Sequence, residues 1–138
     1  MKFGLNASRT FGLLAGDAVA LGATTLYGFE SHRTLETAGF RIAATYIPLL
    51  LAWALVAPHL GAFDQDNVVD FKQLWRPFWA MVLAAPLAAW LRGAWLGAPI
   101  QPIFVVVLGG FSALAILAWR ALYVLVIIKF KRTWMKQP

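Results

Sequence analysis

Cysteine is absent from this chain of 138 residues, so neither a disulfide nor thiolate chemistry has any part in it. Charge is scarce: 13% of the residues are charged, and only 6 of them are acidic. The acidic residues and the two histidines, His32 and His59, form no HExxH pattern, no facing pair of carboxylates and no Ser/His/Asp set. His32 falls in a solvated connection and His59 near the opposite end of its apolar run, so one haem iron cannot take both. The stretch Asp64-Gln65-Asp66-Asn67 lacks the glycine and terminal glutamate of a calcium loop and reads as a solvated turn. These absences point to a non-enzymatic protein without a cofactor or metal.

Apolar residues dominate, at 61% of the chain. That share leaves a water-soluble unit of this size too little polar surface to cover itself. The residues gather in four runs, Thr10–Phe29, Ile42–Leu60, Phe78–Leu96 and Ile103–Ile128. At about 1.5 Å per residue, each is long enough to cross roughly 30 Å of hydrocarbon. The expected fold is all-α: a single transmembrane domain over residues 1–138, four helices running up-down-up-down. Trp75, Trp79, Trp95 and Trp134 lie near the span ends, where indole rings prefer to sit. Lys2 and Arg9 before the first run give it a faint likeness to a signal peptide, but Asp17 interrupts the run, which reads as a retained span.

The net charge is +6, and its distribution argues for sidedness rather than nucleic acid. Lys2, Arg9, Lys72, Arg76, Lys129, Lys131, Arg132 and Lys136 fall on one side of the four spans. Arg33, Arg41 and Arg92 fall on the other. The positive-inside rule then places both termini in the cytoplasm, in a multi-pass protein of a prokaryotic cell (inner) membrane. The bilayer is its first partner. The basic C-terminus suits anionic lipid headgroups, and other membrane subunits or a second copy are further expected partners. The first connection, Glu30 to Arg41, is external and polar. The second, Gly61 to Pro77, is cytoplasmic, with Val68–Trp75 expected as a short interfacial helix bearing Val68, Phe71 and Trp75 on one side. The third, Gly97 to Pro102, is stiffened by its prolines. Pro48, Pro58 and Pro86 fall inside the spans and set helix packing.

Two opposite charges lie deep in the runs. Asp17 is seven residues, about 10 Å, inside the first, and Arg120 is nine residues, about 13 Å, before Lys129. Each alone costs about 2.5–3.5 kcal/mol at a helix centre, and a hydrogen-bonded pair offsets much of that. Spans one and four are therefore expected to be neighbours, with Asp17 paired to Arg120 and the Tyr123 hydroxyl added to the pair. Gly12, Gly16 and Ala20 form a small-residue stripe beside Asp17. Gly109 and Ala113 lie on the Arg120 face, and such spacing lets helices approach closely. A permanently paired carboxylate suits a structural lock better than a proton carrier. Arg92 is shallower. Either it snorkels to the headgroups, or it caps an external cavity with Thr24, Thr25, Thr45 or Tyr46.

Gly16-Asp17, Pro48-Leu-Leu-Leu-Ala-Trp53, Pro86-Leu-Ala-Ala-Trp-Leu-Arg92, Phe104-Val-Val and Ala118-Trp119-Arg120 together resemble the domain-of-unknown-function 3054 family, small prokaryotic proteins with four predicted spans. In span four this chain has Ala-Trp-Arg where the family pattern has Gly-Trp-Arg. The resemblance implies the four-span fold and adds weight to Asp17, Arg92 and Arg120. It implies no reaction. Two functions remain from the residues: an accessory or scaffold component of the membrane, and a small homo-oligomeric transporter or channel for an ion or small solute, an anionic one fitting better.

Overall fold

The computed structural model describes the backbone of residues 2–33 and 35–137 and the side chains of residues 9–33 and 36–137, so the Lys2 side chain lies outside it. Among the described residues the protein is helical, without strands: α1 Lys2–Ser31, α2 Leu35–Ala38, α3 Phe40–Val56, α4 Trp75–Leu96 and α5 Pro102–Met135. Four segments are long and apolar enough to cross a membrane: Arg9–Ser31, Phe40–Leu60, Phe71–Leu96 and Pro102–Met135.

The helix limits follow local chemistry. Pro58 has no N–H to close an α-helical turn, so α3 stops at Val56. The chain tightens into a 3-10 turn, Ala57–Leu60, which Gly61 ends at φ 68°. Gly97, at φ 62°, ends α4 in the same left-handed way, and Pro102 opens α5 in the first turn, where a missing N–H costs nothing. No proline or glycine interrupts α5 after Gly110, so it runs on past the expected limit at Ile128 for 34 residues, about 51 Å of rise. Its last turns carry Lys129, Lys131 and Arg132 out into solvent.

The core gathers Leu21, Leu49, Trp53, Met81 and Ile116 around an alanine-rich helix. Ala80, Ala84, Ala85, Ala88 and Ala89 are all buried on α4, so α3 and α5 pack closely on it. A Cβ on Gly109 of α5 would stand 2.8 Å from that of Ala85, which makes glycine the residue that fits there. Helix α1 is the most loosely held of the four, resting on α5 and α3. Trp75, Trp79, Trp90, Trp95 and Trp134 face outward, whereas Trp53 is buried.

The 61–74 connection is folded by side chains rather than by a helix. Arg76 donates to the Leu60 carbonyl (2.8 Å) and to Gln73 Oε1 (2.6 Å), and Asn67 donates to the Gly61 carbonyl (2.9 Å). The interfacial helix expected over Val68–Trp75 is not formed. A single 3-10 turn, Phe71–Gln73, stands there, opened by the Asp70 carboxylate, which caps it by accepting the Lys72 N–H (2.9 Å). Val68 is buried while Phe71 and Trp75 are exposed, so the three do not share a face. At this end Gln65 also donates to Thr10 of α1 (3.0 Å).

Candidate functional site

Asp17 of α1 and Arg120 of α5 meet in a two-pronged ion pair: Nε donates to Oδ1 at 2.9 Å and Nη2 to Oδ2 at 2.7 Å. Both side chains are shut off, at 2% and 3% exposure, so neither charge touches lipid. Two further bonds complete the cluster. The Trp53 indole of α3 donates to Oδ2 (3.2 Å), and Arg120 Nη1 donates to the Ala62 carbonyl in the 61–74 connection (2.8 Å). Trp53 and Phe63 stand edge to face, 5.8 Å apart, and the guanidinium lies 5.9 and 5.5 Å from their rings. Three elements and a connection are therefore tied at one point. Charged groups satisfied in this way carry their burial with the least penalty.

Tyr123 does not join the pair. Its ring packs on Trp119, one turn away at four-residue spacing, 6.0 Å between centroids. The third partner of the carboxylate is Trp53. The small-residue stripes also divide. Gly16 faces the Trp119 ring so closely that a Cβ there would land inside it. Gly12 faces open space and supports no packing. Ala20 is partly buried against the core, and Ala113 is fully buried. Gly109 packs on α4 rather than α1, because at its level the space beside α1 is a cavity.

That cavity, about 560 Å³, lies at the end opposite the 61–74 connection. Its lining includes Thr24, Thr25 and Tyr27 of α1, Thr45 of α3, Arg92 of α4, and Phe104, Leu108 and Phe111 of α5. Arg92 is turned inward: Nε donates to Thr45 Oγ1 (2.9 Å), and the guanidinium stacks on the Phe104 ring at 4.7 Å. Snorkelling is thus not what it does. The threonine hydroxyls are turned to their own helices, Thr24 to Ala20, Thr25 to Leu21 and Thr45 to Arg41. Tyr46 is absent from the lining. Its hydroxyl donates to the Ala18 carbonyl (2.8 Å), and its ring lies over Gly22, so it fastens α3 to α1 instead.

Trp53 and the Ala62 carbonyl escaped the sequence reading. Trp53 lies seven residues before Leu60, about 10 Å from that end, the same depth as Asp17, so a depth argument extended to donors finds it. Nothing in the sequence marks the Ala62 carbonyl, which depends on the path of the connection. No three of His, Cys, Asp or Glu gather as a metal site among the described residues.

Set against known proteins, residues 14–123 match one family, described as "Protein of unknown function (DUF3054)". No curated protein and no solved structure matches the chain.

Proposed function

The chain belongs to the DUF3054 family, and from its geometry we propose that it is a non-enzymatic accessory or scaffold component of a prokaryotic cell membrane, a pre-set four-span unit against which other membrane helices pack. The observation that carries this reading is the enclosed Asp17–Arg120 cluster. Its charges are spent on each other, on Trp53 and on Ala62, so they hold the bundle in one arrangement. Helix α1 supports the same reading: one side, with Leu13, Asp17 and Leu21, is buried, and the other presents residues such as Phe11, Val19 and Leu26 outward. The distribution of Lys and Arg supports an up-down-up-down order with both termini in the cytoplasm. A reporter active only in the cytoplasm should then be active when fused to either terminus.

The test is extraction in a mild detergent followed by mass determination. The accessory reading expects the chain within a larger assembly of reproducible composition, which D17N disperses. A chain that migrates only with copies of itself and carries solute across liposomes would sink it. That outcome would favour the second reading, a small homo-oligomeric transporter for an anionic solute, which draws on the cavity around Arg92.

A further inference from the structure

Arg92 sits four residues before the end of α4, about 6 Å of rise from Leu96, with its head in an apolar-walled cavity. Of the five N–H donors of a guanidinium, only the one on Nε is used, on Thr45. The two Nη groups have no acceptor, and no carboxylate pairs with Arg92 among the described residues. Arg41 adds a second positive charge within electrostatic reach. The Nη groups are not enclosed, so they stand open to the cavity, where a ligand can reach them. Phe104 covers one face of the guanidinium plane, and Thr45 holds its Nε side. What remains open is the edge bearing the paired Nη groups, which forks onto a carboxylate or phosphate.

Beyond Arg92 and the threonines, the polar residues of the lining include Ser31, whose hydroxyl donates to the Gly28 carbonyl, and His32, and most of the remaining wall suits apolar groups better than a small hydrophilic anion. The hydroxyls of Thr24, Thr25 and Thr45 already donate to backbone carbonyls. The remaining walls include Tyr27, Val107, Leu108 and Phe111. A second groove of about 370 Å³ between α1 and α5 adjoins it at the Tyr27–Phe111 ring contact (6.2 Å between centroids), sharing Thr24, Tyr27 and Phe111 and lined further by Ala23, Leu114 and Ala115. One forked oxyanion anchor, apolar walls around it and an adjoining apolar groove together suit an amphiphile. The cavity volume falls in the ordinary range for ligand pockets, roughly 300–1,000 Å³.

We infer that this protein binds an anionic amphiphile between α1 and α5, its carboxylate or phosphate headgroup on the Arg92 Nη pair and its acyl chain in the groove past Phe111 toward Ala115. The full chain, purified in a neutral maltoside detergent, is titrated separately with sodium oleate, phosphatidylglycerol, phosphatidylcholine and inorganic phosphate, and native mass spectrometry counts the adducts. Oleate or phosphatidylglycerol is expected to be retained one per chain, with phosphatidylcholine and phosphate much weaker. If oleate leads, the source is a fatty-acid carboxylate; if phosphatidylglycerol leads, it is a membrane phospholipid. R92Q should weaken retention about tenfold or more, the loss expected for a forked charge-assisted contact, while R92K loses less. A115F, which fills the groove and leaves Arg92 in place, should weaken oleate but spare octanoate, and it keeps the test decisive if R92Q does not fold. Phosphatidylcholine retained as well as phosphatidylglycerol, phosphate retained as well as oleate, or binding unmoved by both R92Q and A115F overturns the inference. So does binding lost only when Lys129, Lys131, Arg132 and Lys136 are all replaced by Gln, since that assigns the headgroup to the basic end of α5.

Discussion

Replacing Asp17 by Asn removes one charge and leaves the other enclosed. Arg120 keeps its bond to the Ala62 carbonyl and one amide oxygen, but the amide nitrogen of the new side chain opposes a guanidinium donor. Breaking a buried pair from one side costs about 3–5 kcal/mol. R120Q should cost more. The carboxylate keeps the Trp53 bond and at most one neutral amide donor in place of the two-pronged guanidinium, and the Ala62 carbonyl loses its donor, which adds about 1–3 kcal/mol for an unsatisfied buried group. The double variant D17N/R120Q encloses no charge, and its two amides can bond to each other. It should be more stable than either single change, a coupling of about 2 kcal/mol or more. The reversed pair, D17R/R120D, should not recover stability: the Trp53 N–H would then face a cation and the Ala62 carbonyl an anion. Unfolding by titrated SDS in a maltoside detergent, followed by tryptophan fluorescence, reads all four. Single variants within about 1 kcal/mol of the wild type, or a double variant as unstable as the sum of the two, would refute the lock.

Three further outcomes follow from the same geometry. Trp53→Phe removes one donor from the enclosed carboxylate while keeping an aromatic ring beside Phe63, so the same unfolding assay should register a loss of about 1–3 kcal/mol. Gly16→Ala forces the Trp119 ring aside and should cost about 1–3 kcal/mol, and adding Trp119→Leu should recover most of it. No recovery would mean that the ring is not the obstacle. Arg76→Met frees the Leu60 carbonyl and Gln73, so limited proteolysis should cut within residues 61–74 markedly faster while the circular dichroism of the helices stays unchanged.

The reach of the sequence can be traced residue by residue. The spans are legible because lipid demands long apolar runs with their backbone bonds closed internally, and the helices match the runs to within a few residues except at the start of α1, eight residues before Thr10, and at the far end of α5. Asp17 and Arg120 stand out because charge is rare at that depth, and a shared depth singles out the partner. What resists reading depends on rotation about the helix axis and on chain path. Gly12 and Gly16 are four residues apart, yet one meets open space and the other an indole. Tyr123 lies three residues from Arg120 and four from Trp119, and packing chose Trp119. Tyr46 and Thr45 are adjacent, so they point to different neighbours: one fastens α3 to α1 and the other holds Arg92. The 61–74 connection lacks periodicity altogether, and its shape rests on Arg76, Asn67 and Asp70 acting on individual carbonyls and amides.

The distance along the chain between the two members of the ion pair has a consequence for biosynthesis. They are 103 residues apart. At a ribosomal rate of about 5–20 residues per second, the aspartate waits roughly 5–20 s for its arginine. During that interval the first segment, whose hydropathy of 1.2 is the lowest of the four, holds an uncompensated acid at the translocon or at the lipid boundary. The N-terminal helix is therefore made first, can rest on α3 once that emerges, and completes its seat against α5 only when the final segment follows.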